Sequence, residues 1–149
     1  DPFDVYAWLD TLHVQHRLHP LYFFLLAEKR GVYDKNANPH AQRMQQLVQQ
    51  HAVKYTTGIH PSWQSGDEKD LLPKEINMLR DITGKQVTHS RQHYIRLQLP
   101  STYRRLIKAG IAHDHSMGYG SINGFRASVA SSFYWYDLDN NINIDLQEP

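Results

Sequence analysis

The stretch TTGIHPSWQSGD, residues 56–67, changes character at its midpoint. Tyr55, Thr57 and Ile59 alternate in a β-branched run, which predicts a strand over residues 54–60. His60 and Pro61 close it. Ser62, Trp63, Gln64, Ser65, Gly66 and Asp67 then form a polar loop. A histidine at the end of a strand has a particular meaning in a parallel sheet. There the working groups gather at the carboxyl ends of the strands.

The flanking sequence predicts such a sheet. On the N-terminal side, Met44, Leu47, Val48 and His51 keep a helical period after the start signal Asn38-Pro39. Before them LYFFLLA, residues 21–27, is continuously apolar, as a central strand covered on both faces would be. Earlier still, Asp1-Pro2 starts a helix carrying Val5, Trp8, Leu9 and Leu12, which Pro20 ends. On the C-terminal side, Leu72, Ile76, Leu79 and Thr83 mark a third helix, with Gly84 just past its end. KQVTHSR (85–91) predicts a strand, residues 103–109 a helix closed by Gly110, and IAHDHS (111–116) a short strand. MGYGSINGFRAS (117–128) is a glycine-rich loop. SSFYWYDL (131–138) and NINIDL (141–146) are late strands. Alternating helices and strands imply an α/β fold with parallel strands and right-handed crossovers. The 149 residues are enough for a single domain, 1–149.

Composition excludes several classes. There is no cysteine, hence no disulfide, thiolate metal site or thiol nucleophile. A net charge of +1 with no basic block gives nucleic-acid binding no support. The longest apolar run is too short to span a bilayer. No signal peptide is visible, which tilts the expected location towards the cytoplasm. No GxGxxG or P-loop pattern occurs. Ser62 and Ser65 lack a nucleophile elbow. The ten histidines are the unusual feature, imidazole being the commonest side-chain metal ligand.

Four predicted strand ends carry polar groups: Glu28; His60; Arg91, Gln92, His93 and Tyr94; Asp114, His115 and Ser116. Side chains alternate along a strand, so His113 and His115 are expected opposite Asp114. Each candidate has a plainer reading: His60 a loop histidine packed by Trp63, Arg91 a surface ion-pair partner, Asp114 a turn former. Trp63, Tyr94 and Tyr119 are either core or platforms for a sugar ring. Arg126 either binds an anionic group or locks the glycine loop.

GIHPSWQS (58–65), SRQHYIR (90–96) and DHSMGYGSINGFRAS (114–128), in this order of strands and helices, resemble the polysaccharide deacetylase family, the NodB-homology carbohydrate esterases. The resemblance runs from about residue 21 to 132 and is nearest to a divergent bacterial subgroup. It implies a (β/α) barrel, here incomplete, and hydrolysis of acetyl groups on a carbohydrate by a divalent metal, usually zinc. His60 matches the first histidine of the family's His-x-x-x-His motif, whereas Gln64 stands at the second. His93 is the expected replacement ligand. Arg91 matches the arginine that orients a catalytic carboxylate, and Asp114 a residue that steadies the site. By this resemblance His60 and His93 are metal ligands and Arg91, His93 and Asp114 catalytic. Beside these, Trp63, Tyr94 and Arg126 are the expected substrate-binding residues, on their own chemistry rather than on the resemblance. The family's Asp-Asp and Leu-x-His motifs would lie before Asp1 and beyond Pro149, leaving the chain the middle of such a site. A different expectation is a non-catalytic glycan- or protein-binding member of the same fold. A third is an unrelated doubly wound domain.

Overall fold

A computed structural model describes residues 4–148. The chain forms a mixed α/β fold around a six-stranded, mostly parallel sheet. In chain order the elements are α1 (Tyr6–His16), β1 (Leu21–Phe24), α2 (Gln42–Lys54), β2 (Thr56–Ile59), α3 (Leu71–Thr83), β3 (His89–Ser90), α4 (Ser101–Lys108), β4 (His113–Asp114), β5 (Phe133–Asp137) and β6 (Ile142–Glu148). The sheet order is β1-β2-β3-β4-β6-β5. Strands β1 to β4 and β6 run parallel, and β5 returns antiparallel to β6. The four leading strands therefore end on one rim, as their alternation with helices implies.

One face of the sheet carries the core. Phe24 and Ile59 pack with Val48 of α2, Leu72, Ile76 and Leu79 of α3, and Tyr103 and Leu106 of α4. Trp135 and Leu146 extend the same cluster beneath β5 and β6. Ser90 and Asp114 are fully buried in register with Ile59 on that face. Phe23, Gly58, His89, His113 and His115 alternate onto the other face. There the rings of His89 and His113 stack at 4.6 Å, His89 and His115 at 5.6 Å, and Phe23 lies 5.2 Å from His115. His115 thus points away from Asp114, as strand alternation requires.

Several expectations shift. β1 is an edge strand of the described sheet, and Leu21 is exposed. The predicted strands 85–91 and 111–116 keep only two paired residues each, His89–Ser90 and His113–Asp114, so residues 85–88 and 111–112 lead into the strands unpaired. α1 buries none of its residues and leaves Trp8 61% exposed, so its apolar period does not report core contact. The Asp1-Pro2 start signal lies outside the described residues. α2 begins at Gln42, because Asn38 instead forms an Asx turn in which its Oδ1 accepts the His40 N–H. Gly84 ends α3 in the left-handed region, as expected.

Gly58 is required by close approach. A Cβ there would lie 2.6 Å from the His89 carbonyl oxygen and 2.7 Å from the Phe23 ring. The carbonyl belongs to the neighbouring strand and cannot yield without breaking the β2–β3 pairing. Gly58→Ala is expected to cost about 1–3 kcal/mol, read as a lower denaturant midpoint at unchanged slope.

Candidate functional site

The rim brings His60 and His93 into direct contact. His60 follows β2, and His93 opens a single 3-10 turn after β3. His60 Nδ1 lies 2.5 Å from the carbonyl oxygen of Arg91, and His93 Nε2 lies 3.2 Å from that of Tyr33. A carbonyl oxygen only accepts, so each contact places a proton on the outer ring nitrogen. The inner nitrogens, His60 Nε2 and His93 Nδ1, then face one another at 2.8 Å with lone pairs directed inward. That separation is the length of a hydrogen bond and calls for a further proton on one of the two facing nitrogens. Burial, then the neighbouring His93, pushes the His60 pKa down to about 4, so His60 resists taking that proton at neutral pH.

Behind the pair stands Asp34, 1% exposed, with Oδ1 at 3.9 Å from His93 Nε2. Its carboxylate accepts the Trp63 N–H at 2.8 Å and the Gln64 side-chain N–H at 3.1 Å. Gln64 also donates to the Lys29 carbonyl. Gln64 is thereby a strut between two loops, and His93 occupies the place opposite His60. Glu75 supports the same loop from below. It is 4% exposed, accepts the Ser62 N–H at 2.9 Å, and burial raises its pKa. Ser62 and Ser65 are bonded to each other inside that turn.

Arg91 is exposed, and its guanidinium makes no hydrogen bond or ion pair among the described residues. Its backbone is fixed by the Arg91 N–H to Ile59 carbonyl bond, 3.0 Å. Asp114, the last residue of β4, is fully buried. Its carboxylate accepts from Ser90 Oγ and, at 3.0 Å, from the Ser116 N–H. Ser116 Oγ in turn accepts the Gln92 N–H at 2.8 Å. Asp114 therefore holds the loop that carries His93, and burial raises its pKa.

Aromatic rings border the pair. Tyr33 lies over Trp63 with centroids 4.2 Å apart, and the guanidinium of Arg96 sits 4.4 Å from the Trp63 ring. Tyr94 meets His93 edge-on at 4.6 Å and is 60% exposed. Arg126 donates to the Ile95 carbonyl at 3.3 Å, which ties the glycine-rich loop to this turn. Tyr119 packs against Gly124 inside that loop, away from these rings.

Three contributors escaped the sequence reading. Asp34 and Tyr33 lie in a loop about ten residues beyond β1, where no periodicity singles them out. Glu75 did leave a signal, because it shares the apolar stripe of Leu72, Ile76 and Leu79. A carboxylate on such a stripe is buried with a partner.

The inner nitrogens of His60 and His93 are two imidazole donors, closer together than the about 3.3 Å that separates two nitrogen ligands of one tetrahedral zinc ion. Among the described residues no group of three or more His, Asp or Glu side chains is arranged to hold a metal ion. No helix among them is long and apolar enough to cross a membrane. No family model matches the chain, and no curated protein matches it.

Proposed function

We propose that this rim serves the metal-dependent removal of acetyl groups from a carbohydrate, on a (β/α) barrel of the polysaccharide deacetylase type. The observation that carries the reading is the 2.8 Å approach of His60 Nε2 and His93 Nδ1, each ring bonded outward to a carbonyl. Outward bonds of that kind orient metal-binding histidines and fix the tautomer that exposes the ligating nitrogen. Parted to about 3.3 Å, the two inner nitrogens would hold zinc or another divalent ion. A bound divalent ion lowers the pKa of water and polarises an acyl oxygen. The barrel reading is supported by the core lying on one sheet face, with Phe23, Gly58 and three histidines on the other, where a barrel has its interior layers.

The chain's own residues have separable tasks. His60 and His93 bind. The exposed Arg91 guanidinium orients a carboxylate or the developing anion at the same rim. Asp114 steadies the loop of His93 through Ser116 and Gln92. Trp63, Tyr94 and Arg126 form the side at which the sugar is gathered.

A second reading is a non-catalytic member that binds a glycan or a protein partner. The lack of a three-ligand group among the described residues favours it. Zinc titration followed by an acetyl-release assay on acetylated sugars separates the two. The hydrolase reading expects stoichiometric zinc, an affinity at least about a hundredfold weaker in His60→Ala and His93→Ala, and acetate release. Absence of zinc binding from the unaltered protein would leave only the binding reading.

A further inference from the structure

We propose that Asn123–Gly124, within the glycine-rich loop, is a site of spontaneous deamidation, and that the carboxylate formed there draws Arg126 away from the Ile95 carbonyl beside His93. The only reagent is water. Such a change acts on the rim whether the rim hydrolyses a substrate or only binds one.

The fold selects this asparagine from the seven in the chain. Deamidation needs a backbone N–H free to reach the side-chain amide of the residue before it. Asn38 is followed by Pro39, which has no N–H. Asn77 lies inside α3, where the helical ladder engages the next amide. Asn36 Nδ2 donates to the Ala27 and Ala37 carbonyls, at 3.0 and 2.9 Å. Asn140 Nδ2 donates to Asp137 at 2.8 Å, and Asn141 accepts from the Tyr136 hydroxyl. Asn143 pairs with Tyr136 in the β5–β6 ladder. Asn123 differs from all of these. It is exposed, as is every residue from 119 to 126. Neither its side chain nor the Gly124 N–H makes a hydrogen bond among the described residues. Gly124 has φ 137°, a conformation glycine adopts freely, and a Cβ there would meet only the Tyr119 ring, at 3.7 Å. The segment can therefore swing the Gly124 nitrogen onto Asn123 Cγ. The N–Cγ bond forms, the Cγ–Nδ2 bond breaks, and Nδ2 leaves as ammonia with the Gly124 proton. Water then opens the cyclic imide at either carbonyl, giving aspartate or isoaspartate.

The new charge stands three residues before Arg126. Arg126 donates to the Ile95 carbonyl at 3.3 Å, a long bond to a neutral acceptor. A carboxylate offers the same guanidinium a shorter bond, roughly twice as strong. The tie matters because the turn it holds is strained. Tyr94 has φ 55° and Ile95 φ 54°, two consecutive residues in the left-handed region with neither a glycine. For β-branched Ile95 that conformation is an outlier, which persists only where its surroundings hold it. The turn is pinned by the Ile95 N–H to the Gln92 carbonyl, at 2.9 Å, and by Arg126 to the Ile95 carbonyl. Losing Arg126 removes one of these bonds from the turn that His93 opens.

The test is mass spectrometry of the folded protein held in mildly alkaline buffer, sampled over time and digested briefly with trypsin. Cleavage after Lys108 and Arg126 releases residues 109–126, in which Asn123 carries the one side-chain amide. We expect this peptide to give two isomeric products, aspartate and isoaspartate, each with the mass of an acid in place of an amide, before any other asparagine peptide changes. Asn123→Gln, which needs a larger ring, should stay intact over the same period. Backbone hydrogen exchange reads the effect on the rim. Asn123→Asp, identical to one product, should speed exchange at the Ile95 amide about fivefold. Arg126→Gln should do the same, and Asn123→Asp added to it should change nothing further. An unmodified peptide, an equally fast change at another asparagine, or aspartate without isoaspartate overturns the proposal. So does unchanged Ile95 exchange in Asn123→Asp, or an Asn123→Asp effect that persists in Arg126→Gln.

Discussion

Asp114→Ala should destabilise the protein by about 2–5 kcal/mol, although Asp114 touches neither candidate ligand. The side chain is fully buried, as are Ser90 and Ser116. Removing the carboxylate strands the Ser90 hydroxyl and the Ser116 N–H away from water. Each buried polar group so abandoned costs about 1–3 kcal/mol. Asp114→Asn keeps a polar group of the same shape and should cost only about 1 kcal/mol. Burial already raises the Asp114 pKa, so this site tolerates an uncharged partner. The effect should also reach the rim. Asp114 orients Ser116, and Ser116 Oγ holds the Gln92 N–H next to His93. Hydrogen exchange at the Gln92 amide is expected to accelerate in Asp114→Ala, and zinc affinity to weaken with it. An unchanged denaturant midpoint in Asp114→Ala would show that the clasp carries no energy.

How much of this was legible in sequence depends on the kind of contact. Rim positions were readable wherever a strand's alternation and its end could be seen. His60 after Ile59, and His93 after Ser90, follow from parallel strands that are neighbours, and the pairing of Ile59 with Ser90 brings them together. The opposed directions of Asp114 and His115 follow from the period of two. Contacts made by loops folding back were not readable. Asp34 reaches Trp63 and Gln64 across about thirty residues of chain, and nothing local marks it as buried. The strain at Tyr94 and Ile95 was invisible for a sharper reason, because β-branched and aromatic residues predict extended backbone. The local preference is overridden by the anchors at Gln92 and Arg126. Trp8 marks the opposite failure. Its helical period is real, yet α1 lies at the margin of the described fold, where nothing among the described residues covers that side chain.

In metal-free buffer the protein should lose stability steeply as pH falls from about 6.5 to about 4. Burial, then the neighbouring His93, pushes His60 down to about 4, and burial with His89, His113 and Arg91 does the same to His115. His89 is lowered by burial and by His113. The unfolded chain titrates its histidines near 6.5, so between 6.5 and 4 it binds more protons than the fold. Stability contributed by these neutral imidazoles is therefore complete above about 6.5 and lost on acidification through that window. A depression of that size corresponds to about 3 kcal/mol for His60. For the partly buried His115, solvent screening reduces it to about half of that. Two buried carboxyls act in the opposite sense. Glu75 and Asp114 have raised pKa values, so the fold takes up their protons before the unfolded chain does, and acid favours it there. The net curve is the difference, and a variant isolates the histidine part. His115→Phe retains an aromatic ring against Phe23 and His89 but does not titrate. It should flatten the fall by about 1–2 kcal/mol while leaving stability at pH 8 nearly unchanged. Denaturant midpoints measured with chelator at half-unit pH steps provide the curve. A His115→Phe profile that falls as steeply as that of the unaltered protein would mean that His115 is hydrated rather than buried neutral.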